Sequence, residues 1–152
     1  MLLARGVAST HTIDIMKKNI KKFGVGSLLI LLAAQLSGCS ASKGIQPSQA
    51  TSNQFLTQMK ARQFSAAYGL LSSKCKAVTT AQQMQNYWDL VEKNRGKVQS
   101  WSQQGVNVYA GTGGSSVTLT YGLQCAKGAS GVRFVCVDEN GKWLIQGFNF
   151  SG

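Results

Sequence analysis

Apolar positions recur at helical spacing through the middle of the chain, and after Gly96 their period switches to two. Phe55, Leu56 and Met59 predict a first helix behind Thr51 and Ser52, whose hydroxyls suit an N-cap. Phe64, Ala67, Tyr68 and Leu71 fall on one face of a short second helix. A third begins at Thr79 or Thr80 and carries Met84, Tyr87, Trp88 and Val91 at i, i+3, i+4, i+7 spacing. It frays out near Asn94, with Gly96 placed to end it.

Beyond Gly96 the chain reads as strands. Trp101, Val106 and Val108 mark the first, over residues 98–109, and a glycine-rich turn follows at 110–116. Val117, Leu119, Tyr121, Leu123 and Cys125 then alternate with Thr118, Thr120, Gly122 and Gln124, the signature of a half-buried strand. A turn near 127–131 leads to a third strand at 132–137. Asn140-Gly141 is a two-residue hairpin signal, and residues 142–150 form the last strand. Helices first and a strand meander after them predict an α+β domain, with about three N-terminal helices on a curved antiparallel sheet of about four strands.

The N-terminal part carries a different pattern. Four lysines (Lys17, Lys18, Lys21, Lys22) precede an uninterrupted apolar run from Leu28 to Ala34, and small residues then lead to Cys39. This is the three-part plan of an export signal. The apolar run is shorter than the roughly 20 residues a transmembrane helix needs. Leu36-Ser37-Gly38-Cys39 resembles the lipobox of bacterial lipoproteins. The resemblance implies cleavage between Gly38 and Cys39 and a diacylglycerol thioether on Cys39, usually with a third acyl chain on the new amino group. More than one acyl chain anchors a protein stably where a single one is marginal. Ser40, rather than Asp, after the cysteine implies sorting to the outer membrane with the domain facing the periplasm. The expected division is therefore an extension at 1–15 ahead of a start at Met16, a signal peptide at 16–38, a flexible tether at 39–50 and one domain at 51–152. The tether expectation rests on small polar residues and the lone proline, Pro47.

Charge changes little in this picture. The 152-residue chain has a formal charge of +11, but five of its 16 basic residues lie before Leu28. From Cys39 onward 11 Lys and Arg stand against four acids (Asp89, Glu92, Asp138, Glu139), a net of 11 − 4 = +7. The cations are scattered in short clusters, whereas nucleic-acid binding gathers them on one face. No nucleic-acid partner is expected.

The entry Gly96-Lys-Val-Gln-Ser-Trp101 and the closing Asn140-Gly-Lys-Trp-Leu-Ile-Gln-Gly-Phe148 resemble small bacterial lipoproteins of unknown function. Their domains are similar to the cone-shaped, cystatin-like fold shared by nuclear transport factor two and ketosteroid isomerase. That resemblance spans roughly residues 50–150 and implies a sheet curled around helices, enclosing a pocket or a filled cone. Trp88, Trp101, Tyr109, Tyr121, Phe134 and Trp143 are the candidates to line such a pocket. The superfamily includes enzymes, binding modules and assembly subunits, so the resemblance selects no activity.

The chemistry is mostly absent. The only histidine, His11, lies in the 1–15 extension, so the domain has no Ser-His-Asp or Cys-His system and no imidazole for a transition metal. Asp138 and Glu139 suit turn chemistry, and Asp89 and Glu92 lie on the third helix within reach of Lys93 or Arg95. No catalytic residue, metal or cofactor is expected. With Cys39 committed to lipid, Cys75, Cys125 and Cys136 remain in an oxidising compartment. A bridge from Cys75 to a strand cysteine is expected, Cys125 marginally ahead of Cys136, with Cys125–Cys136 as the competing arrangement. The expected function is a membrane-tethered, non-catalytic module that binds another envelope protein or assists assembly. The alternative is a binder of a small apolar ligand in the cone. Residues 111–116 and the last strand are the expected contact surfaces.

Overall fold

The computed structural model describes residues 42–112 and 114–151. The expectations for the extension, the signal peptide, Gly38 and Cys39 lie outside the described residues. After a 3₁₀ turn at Ser42–Gly44 come α1 (Ile45–Lys60), α2 (Phe64–Gly69), α3 (Ser73–Lys76) and α4 (Ala81–Arg95). The strands β1 (Val98–Gly111), β2 (Gly114–Cys125), β3 (Gly128–Glu139) and β4 (Lys142–Ser151) follow. The four strands form one open antiparallel sheet in sequential order. Among the described residues no helix is long and apolar enough to cross a membrane.

Helix α1 corrects the tether at its C-terminal part. Helical structure begins at Ser42, and α1 runs from Ile45 through Thr51 and Ser52, which are interior residues and not caps. Pro47 is compatible because it occupies the first turn, where a backbone N–H has no helical partner to lose. The inward row of α1 is Ser48, Ser52, Phe55, Leu56 and Met59. Its first two members are small and polar, so hydrophobic periodicity locates only its second half. Cys75 sits on an additional short helix, α3, whose N-cap Ser72 accepts a bond from the Cys75 amide at 3.2 Å.

Elsewhere the local signals hold. Thr80 caps α4 in a capping box, its hydroxyl taking the Gln83 amide while the Gln83 side chain accepts from the Thr80 amide. Gly96 ends the helix at φ +76°. Asn140 and Gly141 both have positive φ, as a tight hairpin turn of type I′ requires. The glycine-rich stretch is more regular than expected, because β1 and β2 stay paired out to Gly111–Gly114.

The alternating residues Val117, Leu119, Tyr121, Leu123 and Cys125 of β2 are buried, as are Val132, Phe134 and Cys136 of β3 and Ile145 of β4. Against them pack Phe55, Leu56 and Met59 of α1, Ala67, Leu71, and Met84 and Trp88 of α4. Edge-on aromatic contacts knit the layers: Phe55 meets Phe134 at 5.4 Å between centroids, and Trp88 meets Phe150 at 5.9 Å.

Candidate functional site

The pocket expected inside the sheet is filled. Trp88, Tyr121 and Phe134 are core residues without access to solvent. Trp101 is half-buried, its indole N–H donating to Asn53 Oδ1 at 2.9 Å. Trp143 is half-buried against the 3₁₀ turn, where a Cβ on Gly44 would strike its ring. Tyr109 projects from β1 and is 68% exposed. The six aromatics therefore do not converge, because three of them are what the core is made of.

The opening lies instead outside the core, between α4 and the second half of β4. It encloses about 590 Å³. One wall is Tyr87, Leu90, Val91, Asn94 and Arg95 of α4, and the other is the run Gln146–Ser151 of β4. Cys75, Val78 and Thr79 close one side, and Ser130 lies at another margin. Helix α4 turns Met84 and Trp88 to the core, so the residues a quarter-turn away face this groove. Tyr87, expected on the core face, is 50% exposed, and its ring lies 6.4 Å from that of Phe148. Leu90 is 55% and Val78 77% exposed. Large apolar side chains left in water beside one another mark interaction sites more often than scattered ones do.

The sheet adds an unpaired edge. The outer side of β4 is covered at Ile145, whose amide donates to Leu70 O and whose carbonyl accepts from the Ser72 amide at 2.8 Å. Among the described residues, no backbone hydrogen bond reaches that edge beyond Ile145. Tyr87 and Leu90 could have been noticed in the sequence as apolar residues flanking the Met84/Trp88 stripe. Nothing in the sequence marks Val78.

The carboxylates are structural. Asp89 and Glu92 do not pair with Lys93 or Arg95; both hold Arg62, Glu92 at 2.8 Å. Arg62 comes from the loop after α1, so this pair of contacts ties that loop to α4. The Asp89 hydrogen bond is the leading cause that raises the Arg62 pKa above its ordinary value. Asp138 accepts the Gly141 amide at 2.7 Å inside the hairpin turn. Glu139 accepts the Ser73 hydroxyl at 2.8 Å and the Ser73 amide, and these bonds lower its pKa. Among the described residues no cluster of His, Cys, Asp and Glu could hold a metal.

The expected disulfide is not formed: Cys75, Cys125 and Cys136 are all free and buried. Register shows why the two strand cysteines cannot meet. Cys125 pairs with Gly128 and Cys136 with Val117, eight residues apart along β2. At about 3.3 Å per residue that is roughly 26 Å, far beyond the ~5.5 Å between Cα atoms of a bridge. The Cys75 thiol instead lies 3.9 Å from Thr79 Oγ1, and the Cys136 thiol 3.6 Å from Ser52 Oγ. Burial pushes all three thiols up from their ordinary pKa, with nearby hydroxyls at Cys75 and Cys136 and the Arg95 charge at Cys125 opposing it. Protonated and covered, they are poor nucleophiles.

Neither a protein-family model nor a curated protein matches the sequence. Among solved structures the chain is similar to Aln2 from a Streptomyces species, at 12% identity and a TM-score of 0.49, over 77% of this chain and 93% of that one.

Proposed function

We propose that this chain is a lipid-anchored envelope protein whose domain is a non-catalytic binding module, and that it holds another envelope protein at the groove between α4 and β4. The single observation that carries the reading is that groove: exposed Val78, Tyr87 and Leu90 beside a strand edge with no partner. The carboxylates, all engaged in structural contacts, support a binding role over a catalytic one. The helices-then-meander order supports the cystatin-like, cone-shaped reading of the fold, with the cone filled by its own aromatics.

The anchor and the groove fit together. Cys39 precedes Ser42, the first residue of helical structure, by three positions. Three residues span at most about 10 Å, so acyl chains on Cys39 hold the Gly44–Trp143 end of the domain against the bilayer. Helical structure from Ser42 leaves no long tether. From Trp143 to Ser151 the chain of β4 advances eight residues, or roughly 26 Å, so the far end of the groove lies up to that distance from the anchored end. Ser40, rather than Asp, after the lipobox cysteine supports the outer membrane as the site of anchoring.

The test is a photo-cross-linking amino acid placed at Leu90, in cells, with the same group at exposed Thr57 on α1 as control. One defined protein adduct at position 90, lost in Tyr87→Asp and absent from position 57, supports the reading. No adduct at 90, or the same adducts at both positions, overturns it. The anchor is tested separately: Cys39→Ser removes the acyl mass and releases the protein from the membrane fraction, and retention there refutes the lipoprotein assignment. A second reading, a small apolar ligand, is favoured by the groove volume, which lies in the range of small-molecule sites. It predicts a reproducible small-molecule adduct on the isolated protein in native mass spectrometry.

A further inference from the structure

The groove has a chemical polarity that its apolar lining alone does not express. Arg95 stands at its open end, on the last turn of α4. Two backbone hydrogen bonds bring further cations beside it: the Lys127 amide donates to Arg95 O at 2.8 Å, and the Ala126 amide donates to Lys97 O at 3.0 Å. Lys97 and Lys127 are both exposed. Among the described residues, Arg95, Lys97 and Lys127 make no ion pair, and the nearest acids on the helix, Asp89 and Glu92, are committed to Arg62. A cation on the last helical turn is ordinary complementation of the helix dipole. Lys97 and Lys127 lie beyond the helix and are not explained that way. The groove therefore joins three features end to end: an apolar floor, an open strand edge and an uncompensated positive rim.

The edge itself is unprotected. From Trp143 to Ser151, β4 contains no charged residue and no proline, the usual devices that keep a strand edge from pairing. From Gly147 to Ser151 its register with β3 runs without interruption, Gly147 opposite Val135 and Ser151 opposite Gly131. A segment that adds to a strand takes its affinity from main-chain hydrogen bonds and its specificity from alternate side chains. Here one set of alternate side chains meets Leu90, Tyr87 and Phe148, while carboxylates near one end meet Arg95, with the charges of Lys97 and Lys127 behind it.

We propose that the groove takes an acidic, extended polypeptide segment, alternating apolar residues with Asp or Glu, which pairs with β4 as a fifth strand and sets its carboxylates toward Arg95, within the positive field that Lys97 and Lys127 add behind it. This rests on the groove being the binding site and specifies the partner's chemistry. The regular free run Gly147–Ser151 is five residues long, so the segment pairs over about 16 Å.

The experiment uses the acylated protein in nanodiscs of zwitterionic lipid. Three labelled probes are compared: acetyl-(Glu-Val)₃-amide, acetyl-(Lys-Val)₃-amide and acetyl-(Ser-Val)₃-amide. Binding is read by anisotropy, and backbone protection by hydrogen exchange of residues 146–151. The glutamate peptide is expected to bind at least tenfold more tightly than the lysine peptide, to protect Gly147–Ser151, and to weaken severalfold as salt is raised. K97E/K127E, two exposed substitutions, should cancel that preference, and Leu90→Asp should abolish protection by all three probes. Equal binding and equal protection by the three peptides would overturn the acidic assignment and leave the groove reading standing. Loss of protection everywhere alongside a persistent Leu90 cross-link in cells would overturn strand addition alone. Displacement of the glutamate peptide when phosphatidylglycerol is added to the nanodisc would assign the positive rim to an anionic membrane surface instead.

Discussion

Replacing Tyr121 by Phe should make this protein more stable, which is the reverse of what the substitution does where the hydroxyl is bonded. Tyr121 is 2% exposed, and among the described residues its hydroxyl has no hydrogen-bond partner. Its ring packs edge-on against Phe134 at 5.9 Å between centroids. Phe keeps that ring and nearly all the buried apolar area, so the hydrophobic contribution is unchanged. What changes is the hydroxyl, whose unsatisfied burial costs about 1–3 kcal/mol. Against this stands the small void left by one oxygen, about 0.3 kcal/mol at ~24 cal/mol per Å³ of cavity. The net expectation is a gain of about 1–2 kcal/mol, or roughly 4–16 °C in melting temperature for a domain of this size. Equilibrium urea unfolding followed by tryptophan fluorescence measures it, with an unchanged m-value as the check that the unfolded state is the same. A midpoint below that of the parent would show that the hydroxyl is bonded in the folded state, and the inference from burial would fail.

The Thr80 capping box predicts that Thr80→Ala costs about 1 kcal/mol in the same unfolding assay, and a change within error would show that packing alone holds α4 in place. The buried thiols and the Tyr121 phenol are raised above their ordinary pKa chiefly by burial, so they favour the neutral form in the folded state. Their contribution is complete below the unfolded values, roughly 8.5 for thiols and 10 for phenols, and is lost as pH rises through the higher folded ones. Stability should therefore hold through neutral pH and fall in the alkaline range, with a shallower fall in Cys136→Ala; an identical slope in that variant would refute the attribution. The free state of Cys75, Cys125 and Cys136 predicts no thiol labelling of the native protein and labelling of all three on unfolding. A non-reduced intact mass lower by two hydrogens would instead reveal a bridge.

Much of the fold is legible because local chemistry and tertiary packing agree. The alternation over Val117–Cys125, the Thr80 cap, Gly96 and the Asn140-Gly141 turn each identify an element or its boundary by a mechanism that acts within a few residues. Where reading fails, a distant partner decides. The first two turns of α1 are written in Ser, Gln, Ala and Thr, and they are helical because Ser48 and Ser52 are small enough to lie against β3 near Cys136. Tyr87 follows the spacing of the core face but stands at its margin, where β4 ends the layer. The competing Cys125–Cys136 arrangement fails for a similar reason: alternation turns both cysteines to the helices, but it carries no information about distance along the sheet, and register places them far apart.

The groove was beyond sequence reading because its walls come from three separated parts of the chain, yet the sheet itself selects where a partner strand can join. Both edge strands lack charge in their interiors, so composition does not distinguish them. Geometry does. β1 meets β2 with register shifts at Val98/Ser100 and Gln103/Gly105 and then runs regularly from Gly105 to Gly111, whereas β4 meets β3 with one shift at Val135/Cys136 and runs regularly from Gly147 to Ser151 beside the groove. Lys60 also donates to Gln99 O at the start of β1. The β4 edge is covered at Trp143 by the Thr51 hydroxyl and at Ile145 by the 70–72 segment, and beyond the register shift at Gln146 its run Gly147–Ser151 is regular and faces Leu90 and Tyr87 across the groove. A strand arriving at β1 would find a first half made irregular by these shifts and carrying the polar Gln99, Ser100, Ser102, Gln103 and Gln104. At β4 it would find continuous backbone, an apolar floor and Arg95 at the end. The preference for β4 therefore follows from the apolar groove that α4 builds beside Gly147–Ser151, and it would survive exchange of individual groove side chains for others of similar size and polarity.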